Sequence, residues 1–430
     1  MSLLVVMGSG ETAPTMVKIH REVLAVPGEG TAVMLDTPFA FQLNADDLVS
    51  KTKAYFAESV GTDVEVASWR RTDAPLVEQE RALARLHEAR WAFAGPGSPT
   101  YALRQWRGTA LPGALLDVAT RGGTLVFGSA AACTLGTHSI PVYEIYKVGE
   151  DPHWEEGLDL LGRLTGLEAV VIPHYDNSEG GAHDTNFCYL GEQRLALLEA
   201  ELPEDVGVLG VDEHTALILD LDTRMGRVLG NGLVSLRRRA AATTAATTTT
   251  FRTGTEISFE ALGALLRGES EPESPPPAAV SPVHVGVACA PAGEATGSAP
   301  SLRADAEAAR AGFDASVAAR DVDGAVAAVL GLEAAIHSWA SDTLQSDDTD
   351  HARRVLRALV VRLGELAHAG VRDPREAVAP FVDLLLDLRG RARGAKDYAT
   401  SDLVRDGLVA AGVEVRDMPD GVTWGVGSVD

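Results

Sequence analysis

The stretch RGGTLVFGSAAACTLG, residues 121–136, decides how the rest of the chain is read. Two glycines open it. A short apolar run, residues 124–127, then has the length and content of a buried strand. A lone serine, Ser129, follows and leads into small residues able to start a helix. Strand, tight turn, serine and helix make the geometry of a nucleophile elbow. In such an elbow the turn lifts the serine above the sheet, and the first amides of the helix are free to bind an oxyanion. Small residues after a strand also serve plain helix–sheet packing, so the string by itself leaves both readings open.

Working outward, 430 residues suffice for two domains or three small ones, and an apolar content of 46% supports a sizeable core. The net charge of −24 argues against counterion-driven binding to nucleic acid or an anionic membrane, which needs Lys and Arg on phosphate. Cys133, Cys188 and Cys289 are an odd number at unrelated spacings, giving neither a disulfide framework nor a zinc site. The apolar residues 3–7 are too short for a signal peptide, and no run approaches the roughly 20 residues of a membrane span. The expectation is a soluble, cytoplasmic homo-oligomer without cofactor or metal.

Upstream of the elbow, strands are expected at the start of SLLVVMGSGET and at 31–36, 63–68 and 91–94, with helices at 45–60 and 75–88. This alternation predicts an α/β fold with a doubly wound parallel sheet, whose ligands sit at the carboxyl ends of the strands. Downstream, IPHY ends a strand at His174, a helix covers 192–201, and the segments through 238 read as antiparallel edge hairpins. The α/β domain is drawn as 1–239. Residues 240–300, opening with AATTAATTTT and continuing rich in Pro, Glu, Ser, Gly and Ala, read as a disordered linker. Residues 301–430 read as a small all-α domain with a short β tail: two helices from 302, then 351–369, 374–393 and 401–411, then a hairpin turning at Asp420-Gly421.

With GGTLVFGSAAA set against the pattern GGxIxGxSAGA, the N-terminal part resembles the cyanophycinase and aspartyl dipeptidase family of serine peptidases, which has a class I glutamine amidotransferase-like fold. GPGSPTYAL, GLDLL, IPHY, the run QRLALLEAELPEDVGVLGVDEHTALIL and VLGNGLVSL extend the match over most of residues 1–236. The resemblance implies Ser129 as nucleophile, His174 as general base, and the amides near Gly97 and Ala130 as oxyanion hole. It places the acidic partner in the region of Glu144. Asp212 and Glu213 are candidates to hold a substrate amine, with a structural role in the turn as the alternative. Arg70, Arg71 and Arg104 are candidates for a substrate carboxylate, or plain surface residues. Phe127 and Ala131 stand where elbows favour glycine, so a working hydrolase of a small peptide or amide and a silent, ligand-binding relative both remain open. An amidotransferase is disfavoured by serine at the nucleophile position. His138, His153 and His183 do not pair at metal-ligand spacing.

The tail LLLDLRGRARGAKDYATSDLVRDGLVAAGVEVRDMPDGVTWGV, residues 384–426, resembles the C-terminal region of bacterial cysteinyl-tRNA synthetases, with the helical and anticodon-recognising modules that this implies. The HIGH and KMSKS signatures are missing from the sequence, so ATP-dependent activation of cysteine is not expected. Residues 301–430 hold 15 Lys and Arg against 22 Asp and Glu. Arginines at helical spacing beside acids usually form a solvated, salt-bridged face. The tail is thus a candidate to engage tRNA or, more in keeping with its charge, a protein surface.

Overall fold

The computed structural model describes residues 1–26, 29–178, 183–239, 247–269, 283–284, 301–319, 321–340, 348–371, 374–418 and 421–426. The strands are, in order, β1 (Leu3–Met7), β2 (Thr31–Leu35), β3 (Glu65–Val66), β4 (Ala89–Ala94), β5 (Thr124–Gly128), β6 (His138–Ser139), β7 (Glu155–Glu156), β8 (Ala169–Ile172), β9 (Gly207–Val211), β10 (Thr215–Asp220), β11 (Met225–Gly230), β12 (Leu233–Arg238), β13 (Thr247–Arg252), β14 (Glu256–Ser258), β15 (Val283–His284), β16 (Val413–Met418) and β17 (Gly421–Val426). The main sheet runs β14-β11-β10-β1-β5-β4-β2-β3 and a second sheet runs β15-β13-β12-β9-β8. The chain divides into two compact units, Met1–Glu307 with Leu332–Ala352 and Ala308–Gly331 with Arg353–Asp430.

The α/β class is as expected, but the main sheet is mixed. Its β1, β5, β4, β2 and β3 are parallel neighbours, whereas β10, β11 and β14 add antiparallel edges. Both faces of the parallel half are apolar because both are covered. Leu4, Val6 and Phe127 pack one way, with Leu86, Leu115 and Trp106 from the helices Leu76–Glu88, Leu111–Thr120 and Pro99–Trp106. Val5, Met7 and Val126 pack the other way, with Ile19, Val23 and Phe56. Continuous apolar runs without alternation are what a strand buried on two faces requires. The register sets Met7 beside Gly128 and Ala94 beside Phe127, so the turns after β1, β5 and β4 leave the sheet side by side.

Three expectations change. The strand at 63–68 shrinks to β3. Strand β11 pairs with β10, but β12 does not continue that hairpin; it joins β9 in the second sheet. The boundary at 239 also moves. The threonine run forms β13 on β12, β14 pairs with β11, and the helix Phe259–Arg267 buries Phe259, Leu262 and Leu266 in the core. Low complexity misled here because threonine is β-branched and suits a half-buried strand. The rest of the expected linker, apart from β15, lies outside the described residues, as does Asp420 of the terminal turn.

In the second unit the helices Pro374–Gly394 and Tyr398–Ala410 pack Val382 and Leu408 against Val413 of the β16–β17 hairpin. Asp397 caps the second helix by accepting from the Thr400 amide at 3.1 Å. Arg389, 4% exposed, grips Asp417 with two hydrogen bonds of 2.7 and 2.8 Å, and Arg393 adds a third contact at 3.1 Å. The Arg389 hydrogen bond holds the Asp417 pKa down at about 2. A carboxylate depressed in the folded state stabilises above its unfolded pKa, and that contribution fades as pH falls through the folded one. Asp417→Asn should therefore cost the second unit about 1 kcal/mol at pH 7, a figure kept small because the carboxylate is part-exposed. Its melting temperature should converge on that of the wild type as pH drops from about 4 towards 2. An undiminished gap over that interval would contradict the pairing.

Candidate active site

Strand β5 ends in Gly128, in extended conformation (φ −119°, ψ 154°), and the chain turns at Ser129, whose φ is +48°. A non-glycine residue in the left-handed region marks a strained turn of the kind that presents a side chain. The crowding expected at Phe127 and Ala131 does not arise at those positions. The Phe127 ring points into the core, edge-on to Trp106 at 6.4 Å, and Ala131 is fully buried. The glycines that matter are Gly128, which ends β5, and Gly95, which follows the neighbouring β4. A Cβ on Gly128 would lie 3.2 Å from Cδ of the buried Glu11, and one on Gly95 3.0 Å from Glu11 Oε1. The two bare positions make room for that side chain.

The Ser129 hydroxyl lies 2.8 Å from His174 Nε2. His174 follows β8 with φ +48°, and its amide donates to the Gly8 carbonyl at 3.2 Å, which ties the second sheet to the turn after β1. Its Nδ1 lies 2.8 Å from Glu213 Oε1. Glu213 is held in turn. Asn177 Nδ2 donates to the same Oε1 at 3.1 Å, and the Glu213 amide donates to Asp176 Oδ1 at 2.8 Å. Serine, histidine and glutamate thus form one continuous chain of hydrogen bonds. Burial disfavours a charged imidazole, but the hydrogen bond and charge of Glu213, with contributions from Cys188 and Glu11, outweigh it and raise the His174 pKa to about 9. The same bond overcomes the effect of burial on Glu213 and lowers its pKa.

Glu144 is not part of this chain. It begins the π-helical turn Glu144–Val148, and its Oε2 accepts from the Thr100 hydroxyl at 2.9 Å. The acidic member is Glu213, which the sequence offered as a substrate contact. Strands β8 and β9 are parallel neighbours with Ile172 opposite Gly210, so His174 and Glu213 leave adjacent strands at the same end. The usable signal was position: an acid directly after the strand that neighbours the histidine strand. Asp212 is turned into the fold. It is 7% exposed, and its Oδ2 accepts from the Leu233 amide at 2.8 Å, holding the entry to β12. Burial, with the nearby Asp176 carboxylate, pushes its pKa up to about 7.

Gly97 has φ +141°, and a Cβ there would fall 1.9 Å from the Pro38 carbonyl oxygen. Ser98 donates its amide to that same carbonyl at 2.8 Å and caps the helix Pro99–Trp106 through the Tyr101 amide at 3.1 Å. The Ala131 amide donates to the Gly95 carbonyl at 3.2 Å, which fixes the Gly97 turn beside the elbow that carries Ala130. Arg70 is engaged by Asp36 at 2.7 Å and Asp46 at 2.6 Å, and Arg71 pairs with Asp73 on the surface. The sequence had not pointed to Asn177, Asp176 or Glu11. Among the described residues no cluster of His, Cys, Asp and Glu is arranged to hold a metal ion, and no helix is long and apolar enough to cross a membrane.

No family model matches the chain. In its C-terminal region the chain is similar to cysteine--tRNA ligases. It is 39% identical over 90 residues to that of Chlorobium luteolum, covering 19% of each chain, and 38% identical over 86 residues to that of Bacteroides fragilis, covering 20% of this chain and 18% of the ligase. The chain therefore spans about a fifth of the length of these curated relatives. Among solved structures, a peptidase from an acI-B1 Actinobacterium superposes with a TM-score of 0.49 at 19% identity, over 60% of this chain and 97% of the other.

Proposed function

We propose that the chain is a serine-dependent hydrolase of a small peptide or amide, acting through an acyl-enzyme at Ser129. The observation that carries the reading is the unbroken chain from Ser129 Oγ through His174 to Glu213, starting from a left-handed elbow. With the imidazole proton on Nδ1 facing Glu213, Nε2 is free to take the proton of the serine hydroxyl as Oγ attacks the carbonyl carbon. Nε2 then passes that proton to the leaving nitrogen as the C–N bond breaks. In the second half, Nε2 deprotonates a water, which attacks the acyl carbon and releases the acid and Ser129. The amides of Gly97 and Ala130 are the donors proposed for the oxyanion. The segment similar to the ligases is read as an accessory module. In its tail Arg389 and Arg393 are spent on Asp417, which favours a packing or protein-docking role over tRNA.

The test is labelling with a fluorophosphonate, followed by intact mass, on the full chain. The wild type should take one adduct; Ser129→Ala should take none, and His174→Ala should slow labelling by a factor of about 10³ or more. A folded wild type that remains unlabelled would make the fold a silent, ligand-binding one.

A further inference from the structure

We propose, resting on the hydrolase reading, that Tyr189 and Tyr146 form the subsite for the leaving group and select substrates whose leaving amine carries an aromatic side chain. The argument starts from a backbone anomaly. Phe187, Cys188 and Tyr189 have φ of +58°, +57° and +66°, three successive L-residues in a region that such residues avoid. Runs of this kind persist only where the surroundings impose them, and they gather at functional sites. Here the surroundings are the candidate base itself. The Cys188 amide donates to the His174 carbonyl at 3.0 Å, the Phe187 amide to the Tyr175 carbonyl at 3.0 Å, and the Tyr189 amide to the Thr185 carbonyl at 2.9 Å. The Phe187 ring packs on Tyr175 at 4.6 Å.

This turn places the Tyr189 ring 6.1 Å from the His174 ring, and the Tyr146 ring packs on Tyr189 at 5.1 Å. Tyr146 is 36% exposed and sits on the π-helical turn that Glu144 anchors to Thr100, next to the Gly97 turn. The nitrogen that leaves must come within hydrogen-bond reach of His174 Nε2 to receive its proton. Whatever is attached to that nitrogen therefore lies against the side chains that border His174, among them the tilted Tyr189 ring, on which the Tyr146 ring packs in turn. Aromatic pairs favour such offset arrangements, so a third ring has a surface to pack on.

The experiment is protection of Ser129 from fluorophosphonate labelling by small amines that mimic the leaving group: phenylalaninamide, glycinamide and argininamide. On the wild type, phenylalaninamide should halve the labelling rate at a concentration roughly tenfold lower than glycinamide, the scale an aromatic contact supplies. Tyr189→Ala should erase that ratio and Tyr189→Phe should keep it. Tyr146→Ala, on the part-exposed turn away from the strained backbone, should reduce it without depending on how the strained turn tolerates change. Equal protection by phenylalaninamide and glycinamide, or stronger protection by argininamide, overturns the subsite. A ratio that survives both alanine variants overturns the assignment to these two rings. Absence of Ser129 labelling in the folded wild type is a different failure: it removes the hydrolase reading, and this subsite with it.

Discussion

Glu213→Gln should lower the rate of Ser129 labelling by about 10² to 10⁴, while Glu144→Gln should change it by less than about tenfold. A glutamine at 213 can turn its amide N–H towards His174 Nδ1. The imidazole proton is then driven to Nε2, the atom that has to accept the proton of Ser129. The Glu144 carboxylate, by contrast, accepts from the Thr100 hydroxyl and, among the described residues, has no hydrogen bond to either member of the serine–histidine pair. The pH dependence provides a separate check. Glu213 is the main influence raising His174, so the wild-type rate should climb with pH up to an alkaline limb above the ordinary histidine value of 6.5. Without that charge the His174 pKa falls, and the remaining activity of Glu213→Gln should reach its plateau at lower pH. A large loss in Glu144→Gln with a mild one in Glu213→Gln would reverse the assignment.

The second large effect concerns the fold around the site. Gly97→Ala combines a φ of +141° with a Cβ placed 1.9 Å from a backbone carbonyl, and backbone cannot move aside as the end of a flexible side chain does. The expected cost is about 3 kcal/mol or more, read as a fall of roughly 10 °C in the melting temperature of the first unit. Gly108→Ala is the control. It has φ +69° but open space around its Cβ, so it should lose only about 1 kcal/mol of conformational preference. Equal melting temperatures for the two variants would show that Pro38 does not crowd Gly97.

Several features of the chain are legible in its sequence alone. Alternating strands and helices, apolar runs without a period of two, and glycine at strand ends are local properties, and they determined an α/β class with turns gathered at one edge. The elbow pattern singled out Ser129, and the resemblance carried by IPHY added His174; the two side chains lie 2.8 Å apart. What the sequence left open depends on which strands pair, and pairing is a long-range choice that local propensity does not carry. The acid is the clearest case. Glu144 and Glu213 are equally acidic in sequence, and only the parallel register of β8 on β9 brings one of them to His174. The same holds for β12, which leaves its apparent hairpin for the second sheet, and for the threonine run, which becomes a strand because β12 offers it an edge. The packing around the elbow is likewise a tertiary matter. Phe127 and Ala131 looked obstructive from their positions along the chain, but the packed sheet buries both and gives the bare Gly95 and Gly128 positions to Glu11, a side chain from a third strand end. Composition and periodicity determined the layers; the register between strands decided which side chains meet.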